Sequence, residues 1–106
     1  MRKILTIRGF QDYLANKGCT KILFASVDQG TQVYSKMNFY IEFNAISFHL
    51  GMAKKDILLK ADNGGMEIKD VYGIKIEEDG CILGDIVSVF CNRCEEVASY
   101  TLCLCK

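Results

Sequence analysis

An α+β domain, predominantly antiparallel β-sheet, curled or small-barrel-like, with one short N-terminal helix over about residues 7–17, is the fold class this sequence predicts. Three observations carry the prediction. Short runs of alternating apolar and polar residues recur from residue 21 to the end. Clusters of Gly, Asn and Asp punctuate them. One stretch alone places apolar residues at helical spacing. The 106 residues suffice for a single domain, 1–106, that buries about two-thirds of the unfolded chain's surface. No repeat, linker or low-complexity tract divides the chain.

KILT reads as a first strand. IRGFQDYLANKG follows, with Ile7, Phe10 and Leu14 on one helical stripe, Thr6 placed to cap its start and Gly18 placed to end it. KILFASV (21–27) is a buried-type strand, and DQGT turns the chain. In NFYIEFNAISFHL the apolar phase changes parity across Asn44-Ala45. A two-residue turn there would pair Phe43 with Ile46, Ile41 with Phe48 and Phe39 with Leu50 on one face; a bulge in one long strand is the competing reading. ILLKA-DNGG-MEIKDV predicts a hairpin, because Asn63, Gly64 and Gly65 tolerate the backbone of a tight turn. YGIKIEEDGCILGDIVSVF predicts another around Glu78-Asp79-Gly80. The last strand is ASYTLCLC, with Ala98, Tyr100, Leu102 and Leu104 facing one way. The texture of ILLKADNGGMEIKDVYGIKI resembles small Sm-like and SH3-like barrels, a likeness that carries no function.

Half the residues are hydrophobic and a quarter charged, which is globular rather than disordered composition. The opening apolar run is too short for a signal peptide's core, and no stretch is long enough to span a bilayer, so a cytoplasmic protein with no membrane partner is expected. Net charge is zero, yet residues 1–50 hold six basic and three acidic side chains, and residues 51–106 hold seven and ten. That balance is poor for non-specific nucleic-acid binding, which needs many Lys and Arg contacts to phosphate.

Four of the six cysteines fall in the last sixteen residues, as Cys91 and Cys94, then Cys103 and Cys105. A zinc site would gather all four around one ion, with sulfurs within about 4 Å of one another. If 85–91 and 98–105 form a hairpin, Cys103 lies opposite residue 86 or 87, roughly 13–16 Å along the strand from Cys91. The pairs are then too far apart, and the cysteines read as small hydrophobes, Cys103 and Cys105 sharing a half-polar face with Ser99 and Thr101. A zinc-stabilised module is kept as an alternative. A thioredoxin-like strand–CxxC–helix would need further strands, and only twelve residues follow Cys94.

The one histidine, His49, cannot by itself form a His-rich metal site or select a cysteine partner for catalysis. Glu77, Glu78 and Asp79 are read as solvated turn acids. ADNGG lacks the lysine and following helix of a phosphate loop. No cofactor and no enzymatic activity are therefore expected, and what remains are surfaces. Tyr34, Tyr40, Tyr72 and Tyr100 are placed where strands could show rings to solvent. Lys54 and Lys55 with His49, and Arg2, Lys3 and Arg8, could form a basic edge with tyrosines such as Tyr34 and Tyr40 beside it. The leading expectation is a stand-alone binding protein that presents a sheet face or edge to a macromolecule, above all a protein. A small phage or mobile-element inhibitor, including an anti-defence protein, would be one concrete form. A small barrel binding single-stranded nucleic acid is the alternative. Free strand edges also suit a homodimer.

Overall fold

The computed structural model describes residues 2–17, 21–29, 32–34, 41–52, 54–62, 64–93 and 96–105. Strand β1 (Arg2–Leu5) leads into helix α1 (Ile7–Lys17), followed by β2 (Ile22–Gln29), β3 (Gln32–Tyr34), β4 (Ile41–Phe43) and β5 (Ala45–Leu50). Then come β6 (Lys55–Ala61), β7 (Gly64–Ile68), β8 (Val71–Cys81), β9 (Gly84–Arg93) and β10 (Glu96–Cys105). The fold is α+β and antiparallel throughout, in two sheets that do not close into a barrel.

The helix starts where the sequence places it. Thr6 accepts the Gly9 amide on Oγ1 at 3.1 Å, and its carbonyl accepts the Phe10 amide at 2.9 Å, so its side chain satisfies one of the four amides a helix start leaves unpaired. Ile7 and Phe10 are buried, and Leu14 packs against the same core. Gly18 lies outside the described residues.

The large sheet runs β1-β8-β9-β10-β2, with β3 and β4 following one another along the far edge of β2. The small sheet is β5-β6-β7. One hydrophobic core joins them. Ile74, Ile76, Val87, Val89, Leu102 and Leu104 rise from one face of the large sheet and meet Ile57, Leu59 and Ile68 of the small sheet and Phe10 of the helix. Phe10 also meets Phe48 of β5 edge-on, with centroids 6.2 Å apart. Helix and small sheet thus cover the same face of the large sheet, as two-layer packing requires.

Three sequence expectations are corrected. The hairpin about Asn44-Ala45 does not form: β4 pairs with β2 (Ile22 opposite Phe43) and β5 pairs with β6 (Ile46 opposite Leu59). The parity change marks a crossing between sheets. Asn44 is fastened there by its amide to the Lys60 carbonyl at 2.9 Å and by Nδ2 to Asp62 at 3.1 Å. Phe39 lies outside the described residues. The second correction concerns Glu78-Asp79-Gly80, which is a bulge and not the hairpin tip. Glu77 pairs with Ile86 and Cys81 with Gly84, which leaves residues 78–80 opposite Asp85 alone. The tip is Ile82-Leu83, and Gly84 permits it, since a Cβ there would collide with the Leu104 carbonyl. Third, Tyr100 is buried in the core and shows no ring to solvent.

The hairpin of β6 and β7 forms as expected, with Ala61 opposite Gly64 and a positive φ of 146° at Gly64. The last hairpin holds too, and Cys103 lies opposite Ile86.

Candidate interaction surface

Alternation along each strand divides the large sheet into a core face and an outer face. On β9 the core face takes Asp85, Val87, Val89 and Cys91, so Ile86, Ser88 and Phe90 point outward. The register carries this across the sheet. One outer row runs Glu77, Ile86, Cys103, Leu23; the next runs Ile4, Lys75, Ser88, Thr101; a third holds Gly73, Phe90 and Ser99. No described helix or strand packs on this face. Ile4 is 82% exposed and Tyr72 is 55% exposed, while Phe90, Ile86, Ser88 and Thr101 are half-buried.

An irregularity in β8 shapes the third row. Val71 pairs with Cys91 and Gly73 with Phe90, so Tyr72 is the extra residue, and its ring lies 6.2 Å from that of Phe90. The two rings form an aromatic step flanked by hydroxyls. Such a mixture of exposed rings, aliphatic groups and Ser/Thr favours interfaces, because rings supply contact area at low entropy cost. Cys103, in register between Ile86 and Leu23 on this face, is fully buried, and Cys105 is half-buried, so neither thiol adds to an exposed half-polar surface.

The sequence-predicted surface residues are partly brought together. His49, Lys54 and Lys55 gather at the β5–β6 turn, where His49 faces Asp56 across the ladder and the Gly51 amide bonds the Lys54 carbonyl at 2.9 Å. Tyr34 lies on β3 of the other sheet, opposite Val27, and Tyr40 lies outside the described residues. Cys91 and Cys103 are buried five register positions apart. Among the described residues no group of three His, Cys, Asp or Glu could hold a metal ion. Cys94 lies outside them.

Sequence reasoning missed one titratable cluster. Asp85, only 3% exposed, receives the Tyr13 hydroxyl on Oδ2 at 2.6 Å and the Asp79 amide on Oδ1 at 2.9 Å, with Lys17 Nζ 3.3 Å from Oδ2. Burial alone would raise the Asp85 carboxyl. The bonds from Tyr13, from the Asp79 amide and from Lys17 outweigh it and hold the group below its usual range. Burial and the bond to Asp85 push the Tyr13 phenol up to about 12. Bonds to Tyr13 and then Asp85 raise Lys17. Each group is thus held more firmly in its neutral-pH charge state, the opposite of what proton transfer near neutrality needs. The cluster is a clasp between helix and sheet. A signal for it exists in the sequence, since Asp85 occupies the apolar phase of GDIVSVF.

A second buried carboxylate repeats the device: Asp56 Oδ1 accepts the Asp70 amide at 3.2 Å. Both amides belong to aspartates in the left-handed region, Asp70 at φ 56° and Asp79 at φ 55°. Among the described residues no helix is long and apolar enough to cross a membrane. No protein-family model matches the chain, and no curated protein or solved structure matches it either.

Proposed function

We propose that this is a non-enzymatic binding protein, cytoplasmic in setting, that acts on a protein partner through the outer face of its large sheet. The observation that carries the reading is the Tyr72–Phe90 step on a sheet face where no described element packs. An inhibitor or accessory factor works in this way, by occupying a partner's surface with a rigid one.

Two features support a rigid platform. The strands beneath the face are buried on their other side, and the clasp at Asp85 ties that side to the helix. Interfaces concentrate their energy in a few central aromatic anchors, and Tyr72 with Phe90 supplies such a pair.

Capture on the immobilised protein, followed by mass spectrometry, tests the reading. A macromolecular partner retained by the wild type and lost by Tyr72→Ser with Lys75→Glu is the expected result. Equal retention by the doubly substituted protein, or no macromolecule captured at all, would overturn it.

A further inference from the structure

We propose that the chain self-associates through β5, pairing this strand antiparallel with β5 of a second copy and joining the two small sheets into one. The proposal concerns a different sheet from the outer face above and stands or falls independently of it.

Four sets of edge groups are open among the described strands: β1, the β3–β4 side of β2, β5 and β7. Natural edges are protected by charge, shortness or irregularity. β1 is four residues and carries Arg2 and Lys3. β3 and β4 are three residues each, and β4 holds Glu42 paired to Lys21 at 3.5 Å. β7 begins at Gly64 with its positive φ and carries Glu67, paired with Lys69 at 3.8 Å. β5 has none of these protections. Its six residues, AISFHL, include no Lys, Arg, Asp, Glu, Gly or Pro, and its register with β6 is unbroken from Ala45 to Leu50.

The ladder fixes which backbone groups face outward. The Gly51 amide bonds the Lys54 carbonyl, which makes that pair hydrogen-bonded. In an antiparallel ladder such pairs alternate, so Ala45, Ser47 and His49 bond to β6. Ile46, Phe48 and Leu50 are left with their amides and carbonyls on the open edge.

A twofold axis at Phe48 uses all three. Phe48 pairs with Phe48 of the second copy, and Ile46 pairs with Leu50 in both directions. Each of these residues then donates to and accepts from the other chain. The side chains agree with the backbone. On the core-side face, half-buried Ile46, Phe48 and Leu50, which already pack against the core of their own chain, are opposed across the axis by the same three residues; on the exposed face Ser47 meets His49. No charge is opposed, and the pairing is isologous, as a twofold dimer requires. The occupant that matches this edge in hydrogen bonding, alternation and neutrality is the edge itself.

Sedimentation equilibrium of the wild-type chain across a wide concentration series tests the proposal. The expected mass rises from the 11.9 kDa of one chain to twice that value. Ile46→Pro removes an outward amide without touching the bonds to β6, and Ser47→Lys with His49→Lys places like charges across the axis. Both are expected to stay at the single-chain mass with an unchanged circular dichroism spectrum, while Ile4→Lys on β1 still doubles. Amide exchange gives a second readout that needs no variant. Exchange at Ile46, Phe48 and Leu50 slows as concentration rises, and exchange at Ser47 and His49 does not change. A wild-type mass that never exceeds one chain would overturn the proposal. So would doubling that survives the Ser47/His49 substitutions or is abolished by Ile4→Lys.

Discussion

The hydroxyl of Tyr13 donates a 2.6 Å hydrogen bond to the carboxylate of Asp85, a residue seventy-two positions further along the chain. Through this contact the helix is fastened to the strand opposite the β8 bulge, and the same carboxylate holds the bulge by the Asp79 amide.

Removing the buried carboxylate takes an acceptor from a phenol and a backbone amide whose bonds to it are part-buried. Asp85→Ala is expected to lower the free energy of unfolding by about 3 kcal/mol. Urea unfolding of the two proteins measures it, and a difference below about 1 kcal/mol would show that the clasp contributes little.

The same cluster gives a pH dependence. Tyr13 titrates at about 12 in the folded chain against 10.0 for the ordinary phenol, so folding favours its protonated form. Its contribution is fully present below about pH 10 and is lost as pH rises toward 12. Asp85 runs the other way: its depressed carboxyl contributes above the ordinary carboxylate range, and that contribution disappears as pH falls through its folded value. Melting temperature against pH should fall at both ends. Tyr13→Phe should flatten the alkaline limb and, by removing a bond that holds the Asp85 carboxyl low, also weaken the acid limb; an alkaline limb that keeps its full slope would refute the assignment.

At the other end of the helix, Thr6→Ala deletes the side-chain acceptor of the Gly9 amide. A loss of about 1 kcal/mol is expected, with helix content of the folded protein unchanged. Chemical denaturation followed by circular dichroism checks both numbers.

The β8–β9 tip depends on Gly84, where any side chain would meet the Leu104 carbonyl. Gly84→Ala is expected to cost about 2–3 kcal/mol, because the obstacle is backbone and cannot rotate away. Thermal unfolding should register this; a melting temperature equal to wild type would mean that β9 and β10 separate more easily than their pairing indicates.

Local features were legible in the sequence. Thr6 and the Ile7–Phe10–Leu14 stripe define the helix, the glycines after Asn63 define the β6–β7 hairpin, and a hairpin of the last two strands puts Cys103 opposite residue 86 or 87, of which the ladder takes Ile86. Longer-range relationships were not. The parity change at Asn44 is compatible with a reversal or a crossing, and only the partners β2 and β6, distant in sequence, decide for the crossing. Asp79-Gly80 carries the composition of a hairpin tip, yet Asp85 bonds the Asp79 amide and turns those residues into a bulge. Among the surface residues, His49, Lys54 and Lys55 were placed together by proximity in the chain. The Tyr72–Phe90 step depends on the extra residue in β8, which alternation alone does not reveal.

The strand order also bears on how the chain acquires its shape. Among the described strands Arg2–Leu5 pairs with 74–77 alone, and one side of Ile22–Gln29 pairs with β10, far along the chain. During synthesis, then, β1 and the β10 side of β2 wait for partners made much later, although β3 and β4 reach the other side of β2 early. Such late closure slows folding and lengthens the interval in which KILFASV is open to wrong partners.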